Sequence, residues 1–369
     1  MTRPHRAERS HELDLLRGLA CLAVVMFHLL HRGQLSGWIS DEPPQWLSRL
    51  AAHGYLGVHL FFIISGYVIF MSVQGASART FVVSRVARLC PAYWVAVLMT
   101  AGAAWLLASP VFAVGARELL VNLTMLTHLV WVGVEPPYVD GAYWSLAVEF
   151  QFYLIMLVLI ATRQLARIEA VMAVWLLLSS ADFVRRVYLA ELLLALEWAP
   201  LFCAGILFYR IRCLGLTRQR YLMLWWCHLL TLARATDPSQ LRPDSGGPEV
   251  WVIALLITAF FGLFWCVAAR RWTVRGSALT IWVGALTYPV YLIHQNLSYM
   301  LLEVLRPFEP SLLLRLVLVL AGVLVLSVLL HCVVERPMGR WLRRRLEASA
   351  SRVRHAPQPI LARGPQPSR

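Results

Sequence analysis

The sequence contains no lysine and few charged residues of any kind. All 34 basic side chains are arginine, and charged residues make up 15% of the 369 positions, whereas a soluble domain carries about 25%. Hydrophobic residues make up 59%, so the chain lacks the polar surface that a water-soluble particle of its size needs. Several apolar runs reach the roughly 20 residues that cross a hydrocarbon core. The composition therefore excludes a soluble globular protein and indicates an integral membrane protein in contact with the lipid bilayer.

Cysteine is scarce as well, and its distribution excludes two classes of stabilised fold. The seven cysteines form no C-x-x-C pair and lie in or beside the apolar runs. An odd, scattered set predicts neither a disulfide framework nor a zinc site. We therefore expect no metal, and we interpret the cysteines as packing residues.

The arginines follow the membrane topology. If the N-terminus is cytoplasmic, 24 of the 34 arginines fall in inner segments and 9 in outer ones, which is the positive-inside pattern. The net charge of +14 is then explained without nucleic acid as a partner, and both termini are predicted to be cytoplasmic. We place about ten spans, with nine to eleven possible, at 13–31, 55–73, 92–112, 143–161, 168–182, 192–209, 219–234, 250–268, 278–301 and 312–334.

These spans predict an all-α fold, a polytopic transmembrane helical bundle. Residues 1–12 would form a cytoplasmic tail and 13–345 the membrane domain. A tail at 346–369, rich in Ala, Ser, Pro and Arg, is predicted to be basic, cytoplasmic and disordered. Segment 79–91, with its spaced arginines, predicts a short amphipathic helix at the inner interface, separate from the span at 92–112.

The first span carries two polar residues that need an explanation, because charged groups inside a membrane are costly and often functional. Arg17 and His28 are 11 residues apart, which is about three helical turns, so they share a face roughly 16 Å apart along the axis. An ion pair with Asp14 could account for Arg17, and a backbone hydrogen bond could account for His28. The sequence leaves both explanations open beside a functional one.

Two further motifs are ambiguous by themselves. Ser65 lies in Phe-Phe-Ile-Ile-Ser-Gly-Tyr, where a small-residue pair allows close helix packing or the approach of a ligand. Arg85 and Arg88 stand three residues apart on one helical face. Such a pair suits phosphate groups, although it could equally be an ordinary inner-face anchor.

The spans that begin at 143 and 278 add a carboxylate and a second histidine. Glu149 follows Trp144 and Ser145, and a carboxylate at this depth needs a partner or a function. Tyr291 and His294 lie close to Pro289, which can kink the helix and free backbone groups; a Tyr–His packing seam is the structural alternative. In the predicted topology the histidines and Glu149 occupy the outer half of the membrane and the arginines the inner face.

In combination, these motifs resemble the acyltransferase type 3 family, bacterial membrane O-acyltransferases that modify glycans. The resemblance spans about 12–340 and keeps the order of the family's motifs. The matching segments are Arg17 to His28 (R-x10-H), Phe61 to Tyr67, Arg85 to Arg88, Trp144 to Tyr153, Tyr288 to His294, and Glu335-Arg336-Pro337.

The resemblance implies an enzyme of the bacterial inner membrane. It would move an acyl group, most often acetyl, from cytoplasmic acyl-coenzyme A to a hydroxyl of an envelope glycan or another acceptor. Arg85 and Arg88 would bind the coenzyme phosphates with help from Arg17. His28 would accept the hydroxyl proton or carry the acyl group, and Glu149 would orient or charge-stabilise the imidazole. The residues implied to position substrate are Ser65, Trp144, Ser145, Tyr291 and His294.

Two other classes of function stay open at this stage. Intramembrane His, Glu and Arg also mark the substrate and proton pathways of transporters, although no inverted repeat of the kind found in many transporters is evident. A polytopic scaffold would not need His28 at all.

Overall fold

The computed structural model describes residues 9–130, 137–237 and 249–354. Within these ranges the chain is helical throughout its regular structure and contains no strand, so the predicted all-α fold is confirmed. The helices are α1 His11–Phe27, α2 Gly33–Leu35, α3 Gln45–Ala51, α4 Gly57–Val73, α5 Ala78–Leu106, α6 Ala116–Leu123, α7 Thr127–Val130, α8 Tyr143–Ala161, α9 Ile168–Val184, α10 Tyr188–Leu194, α11 Ala199–Leu214, α12 Arg218–Ala235, α13 Val250–Ala268, α14 Ala278–Ile293, α15 Asn296–Leu305, α16 Leu312–Leu329 and α17 Arg336–Arg354.

Four shorter segments connect or extend these helices. Gly54–Leu56 and Gln164–Arg167 are 3₁₀ turns. His28–Arg32 and Leu330–Glu335 are π-helical and continue α1 and α16 without a break. A π-helix is rare and often lies at a functional site.

Seven helical stretches in the described ranges are long and apolar enough to cross a membrane. The predicted spans at 168–182, 219–234 and 278–301 are also largely helical, but they are short, polar or interrupted, as α9, α12 and the pair α14 and α15 show. The structure therefore supports a multi-span membrane protein. The span count of ten and the cytoplasmic termini stay predictions. The seven stretches are His11–Leu35, Gln45–Val73, Ala78–Leu106, Tyr143–Ala161, Tyr188–Leu214, Val250–Ala268 and Leu312–Ala348.

Two predicted boundaries differ from the ends of the described helices. Residues 79–91 belong to the same helix as the span that follows, because α5 runs unbroken through Pro91; only the carbonyl one turn earlier loses its partner there. Helix α17 continues to Arg354, past the predicted start of the tail at 346, and the disorder of the tail stays a prediction. Strong helix formers fill this segment, and Arg343 donates to Glu347 one turn later at 2.9 Å. The rest of the tail, 355–369, lies outside the described residues.

Helices α4 and α11 pack closely against each other through two glycines. A Cβ atom at Gly66 would lie 2.2 Å from the carbonyl oxygen of Phe202, and one at Gly205 would lie 2.1 Å from that of Ile63. Small residues let backbones approach in membranes, where packing rather than water exclusion drives helix association. The Ser-Gly pair of the α4 motif therefore has a packing role through its glycine.

Replacing Gly66 by alanine is expected to lower stability by about 1–3 kcal/mol, since the backbone of α11 would have to move. Gly102 provides the matched control, because a Cβ there would meet nothing within 4 Å and alanine favours a helix interior. The melting temperatures of the two variants can be measured by heating the detergent-solubilised protein and following its loss by size-exclusion chromatography. Equal melting temperatures for the two variants would show that this contact is not a tight one.

The bundle has two distinguishable ends. We call the end that carries Arg85 and Arg88 the arginine end. The opposite end, called the loop end, contains Trp38, Leu107 and Glu303, which line one surface pocket together. Helix α1 leads from the arginine end towards His28. The hydrophobic core has two clusters, and a cavity lies where they meet.

Candidate active site

A cavity penetrates the bundle between α1, α4, α5, α8 and α14, with an empty volume of about 810 Å³ that includes open solvent. It lies at the junction of the two core clusters, because Phe61 and Leu146, which pack against both, are part of its wall. Five separate sequence motifs contribute to this one space. Its polar lining residues are Arg17, Ser65, Arg85, Arg88, Ser145, Glu149, Tyr153, Thr287, Tyr288 and Tyr291.

The three arginines form a graded entrance to the cavity. Arg88 is exposed, Arg85 is partly buried, and the side chain of Arg17 is 19% exposed. The Arg85 guanidinium lies over the rings of Phe81 and Tyr153, 5.6 and 5.9 Å from their centroids, and such stacking holds a planar cation in place. A chain of positive charge thus leads from solvent into the bundle.

The predicted alternative for Arg17, an ion pair with Asp14, exists but is loose. Arg17 Nη1 lies 3.7 Å from Asp14 Oδ1, whereas Arg9 Nε donates to the other oxygen of the same carboxylate at 2.6 Å. Asp14 is therefore shared, and the charge of Arg17 is only partly neutralised by it. This leaves the guanidinium able to attract an anion in the cavity.

A serine–carboxylate pair occupies the middle of the cavity. Ser65 Oγ donates a hydrogen bond to Glu149 Oε1 at 2.6 Å. The carboxylate is close enough to Arg17 and Arg85 for their charges to interact. Because three arginines face a single glutamate among the described lining residues, the cavity has a net positive charge.

A second hydroxyl pair lies deeper, on the side of the loop end. Ser145 Oγ and Tyr291 Oη are 2.6 Å apart, and they lie 3.1 and 3.3 Å from the carbonyl oxygen of Ala142. Each hydroxyl has one hydrogen, so one of them donates to the carbonyl and the other donates to its hydroxyl neighbour. The Tyr291 ring contacts Phe61 on one side and His294 on the other, with centroids 5.6 and 5.3 Å away. Tyr291 thus connects the cavity with the histidines.

The two predicted histidines meet just beyond the cavity wall. The ring centroids of His28 and His294 are 5.2 Å apart. His294 Nδ1 lies 2.8 Å from the carbonyl oxygen of Tyr291; since a carbonyl only accepts, Nδ1 carries the proton. His294 Nε2 is buried and has no hydrogen-bond partner among the described residues. A neutral His294 therefore presents an unpaired acceptor next to His28.

His28 begins the π-helical segment and has a different partner from the one predicted. Its Nδ1 lies 3.2 Å from Tyr299 Oη, which also lies 3.2 Å from the carbonyl oxygen of His28 itself. Glu149, which is predicted to orient or charge-stabilise this imidazole, lies inside the cavity, where it accepts a hydrogen bond from Ser65. No contact between Glu149 and His28 is described, and its role stays a prediction. The spacing along two helices could not show which side chain completes a contact between them.

Trp144, which is predicted to position substrate, is not part of the cavity wall. Its ring packs against Phe62 and Trp198, with centroids 6.4 and 5.3 Å away. One helical residue is a rotation of about 100°, so Trp144 points away from the face of α8 that carries Ser145. His28 and His294 likewise lie behind the wall rather than in it.

Asp140, which the sequence did not single out, holds the helix break beside His294. It is fully buried; Oδ1 accepts from the Ala142 amide at 3.0 Å and Oδ2 from the Asn296 amide at 2.9 Å. The carboxylate thereby joins the start of α8 to the point where α14 ends and α15 begins. A carboxylate directly before a span is the only sequence signal that could have pointed to it.

Asp140 should make stability depend on pH. Burial raises its pKa from 3.8 to about 7, so between these values the folded protein binds a proton that the unfolded chain releases. This contribution to stability is present below pH 4 and is lost as the pH rises through 7. We expect the melting temperature to fall between pH 5 and 8, and Asp140→Asn to flatten that slope. Glu42→Gln, which exchanges an exposed loop carboxylate, should leave the dependence of the melting temperature on pH unchanged. Equal slopes in the parent protein and both variants would show that Asp140 does not cause this dependence.

The bundle and its arginine-lined cavity define a multi-span membrane protein with a polar site enclosed by its helices. The chain belongs to the acyltransferase type 3 family, whose acyltransferase domain matches residues 10–332. The resemblance drawn from the motifs is confirmed, and the chain carries a membrane-embedded acyltransferase domain. Membership of this family favours acyl transfer over the transporter and scaffold alternatives.

Individual relatives agree with this assignment over part of their length. A Staphylococcus aureus (strain COL) protein provisionally named an O-acetyltransferase is 27% identical over 164 residues, which is 41% of this chain and 24% of that protein. A Komagataeibacter xylinus protein provisionally named the membrane-bound transacylase BcsY is 31% identical over 171 residues, 43% of this chain and 39% of that protein. The chain thus aligns with less than half of each relative. No solved structure matches it significantly.

Proposed function

We propose that the protein transfers an acyl group, preferably acetyl, from acyl-coenzyme A to a hydroxyl of an envelope glycan or another extracytoplasmic acceptor. The observation that carries the proposal is the order of the groups. Three arginines lead into a cavity, a Ser65–Glu149 pair lies in its middle, and Tyr291 connects its end to two histidines. This order matches a donor with an anionic head and a reactive thioester at its far end.

The arginine end suits the donor. The phosphates of coenzyme A would bind Arg88 and Arg85 at the entrance, with Arg17 deeper. The cavity walls beyond are largely apolar, with residues such as Phe62, Ile64 and Ile69, and would accommodate the uncharged pantetheine arm. Glu149 would keep Ser65 oriented and limit the net charge, so that the head of the donor, rather than its thioester, is held by the arginines.

The histidine pair suits the acceptor. The acceptor oxygen would give its proton to His28 as it attacks the thioester carbonyl carbon. The carbon–sulfur bond breaks, the thiolate takes the proton from the imidazolium, and an ester and free coenzyme A result. Tyr291 Oη would donate to the developing oxyanion, and His294 would position the acceptor. In this proposal Ser145, at 2.6 Å, orients Tyr291.

The location would be a bacterial inner membrane with the arginine end in the cytoplasm, where acyl-coenzyme A is made. The excess of arginine in the segments assigned to that side supports this orientation. The loop end would then face the compartment that contains the envelope glycans.

Purified protein in detergent, supplied with [14C]acetyl-coenzyme A and glycans extracted from the envelope of its own cells, tests the proposal. We expect free coenzyme A thiol to appear in equal amount with alkali-labile label on the glycan. Thioester that stays intact in the presence of the whole extract would contradict coenzyme A as donor. If coenzyme A thiol is released and the label appears on another extracted hydroxyl compound instead of the glycan, the glycan is not the acceptor.

A further inference from the structure

We propose that Tyr299 fixes the tautomer of His28, so that Nδ1 carries the proton and Nε2 is the atom that accepts the proton of the acceptor hydroxyl. This inference rests on the proposed function, because it assigns an orienting partner to the base named there. Tyr299 is a positioning residue in this account. It lies outside the six motifs and takes the orienting role predicted for Glu149.

The Tyr299 hydroxyl lies between two polar groups of His28, the ring nitrogen Nδ1 and the backbone carbonyl. Tyr299 Oη lies 3.2 Å from His28 Nδ1 and 3.2 Å from the carbonyl oxygen of His28. A hydroxyl has one hydrogen to donate, and a carbonyl oxygen can only accept. The hydroxyl hydrogen therefore goes to the carbonyl, and the hydroxyl oxygen accepts the hydrogen on Nδ1. In a neutral imidazole this leaves the lone pair on Nε2.

The π-helical segment makes that carbonyl part of the contact. Its hydrogen bond comes from the amide of Gly33, five residues on, which is the wider π-helical spacing. Gly33 also leaves room for the tyrosine, because a Cβ there would lie 2.9 Å from Tyr299 Cε1. The backbone of the first span is thus shaped to admit the Tyr299 ring beside His28.

The tyrosine itself is held rigidly. Tyr299 is fully buried, and its ring contacts those of Trp38 and Phe112, with centroids 5.4 and 6.0 Å away. An orienting group is effective only when its own conformation is fixed by packing. The hydroxyl therefore cannot leave Nδ1 without displacing two aromatic side chains of the loop end.

The surroundings of His28 are consistent with a neutral base. Its ring is partly exposed and faces His294, with Arg32 close enough for its charge to act. The contacts described place no carboxylate on the imidazole. Without one, a tyrosine oxygen is the group that can accept the Nδ1 hydrogen and stabilise the imidazolium that forms during transfer.

Nitrogen NMR determines the tautomer of His28 in the protein alone, without the substrate that accepts the acyl group. Protein labelled with [15N]histidine carries 11 labelled rings, and the signals that disappear in His28→Gln identify those of His28. We expect a protonated-type shift at Nδ1 and an unprotonated-type shift at Nε2. Tyr299→Phe should shift both signals towards the opposite tautomer and lower kcat by about tenfold or more, since a misplaced proton removes the base, with KM for acetyl-coenzyme A unchanged.

Tyr143→Phe is the matched control, because Tyr143 is equally buried and donates only to a backbone carbonyl, that of Leu292, at 2.9 Å. It should cost similar stability and leave the His28 signals in place. A proton on Nε2 in the unsubstituted protein would overturn the inference even if Tyr299→Phe does not fold, and so would unchanged signals in a folded variant. Full activity of His28→Ala would instead refute the proposed function, whatever tautomer the spectra show.

Discussion

Replacing His28 by alanine is expected to abolish acyl transfer while the protein still folds. A positioned proton acceptor contributes about 100-fold or more to a rate, and the described structure offers one other imidazole at this point, His294, whose ring faces His28. The measurement is release of free coenzyme A thiol from acetyl-coenzyme A in the presence of acceptor. KM for the donor should change little, because the proposed site for the donor head is at the other end of the cavity.

The neighbouring histidine provides the control for that substitution. His31 lies in the same π-helical segment and is buried. Its Nδ1 is 3.2 Å from Ser48 Oγ, so it has a structural partner. No contact between His31 and His294 is described. His31→Asn should retain most of the activity. If both variants were equally inactive with intact folding, the π-helical segment as a whole, and not the His28 imidazole, would be what matters.

Loss of the entrance arginines is expected to weaken donor binding specifically. In Arg85→Gln/Arg88→Gln, KM for acetyl-coenzyme A should rise by about a hundredfold or more. Each charge-assisted hydrogen bond to phosphate is worth about 1.5–3 kcal/mol, so two are worth about 3 kcal/mol or more, and tenfold corresponds to about 1.4 kcal/mol. Acetyl-pantetheine carries the same thioester without phosphates. Its KM should therefore be the same in the variant and the parent protein.

Arg79 is the control for this pair. It lies on the same helix, outside the cavity, and donates to the carbonyl of Leu346 at 2.8 Å. Arg79→Gln should leave both KM values unchanged. An equal rise of KM for acetyl-coenzyme A and acetyl-pantetheine in the double variant would mean that Arg85 and Arg88 support the fold of the entrance and do not recognise phosphate.

Much of this cavity could be predicted from the sequence because helical spacing and a few costly residue types define it. Arginine or glutamate inside an apolar run has to face the interior, so Arg17 and Glu149 could be placed there before their neighbours were known, whereas Arg85 is predicted only at the inner boundary. The helices themselves follow from long apolar runs. The structure confirms that these residues share one space, while their chemical roles stay proposals.

What could not be predicted depends on contacts between distant parts of the chain. Tyr299 reaches His28 across 271 residues, and Asp140 reaches Asn296 across 156; a periodicity within one helix carries no information on either. Trp144 was assigned to the site by its place in a motif, although its helical rotation directs it elsewhere. The π-helical turn at His28 also leaves no signal, because the residues in it are ordinary helix formers.

The central claim is that the acyl group enters at the arginine end and is delivered at the loop end. Proteoliposomes with the protein inserted in one orientation, [14C]acetyl-coenzyme A on the arginine side only and the envelope glycan on the other side only, test it directly. We predict alkali-labile label on the glycan and free coenzyme A on the donor side, both absent in His28→Ala. Label that appears only when donor and glycan share one side of sealed vesicles would contradict the account.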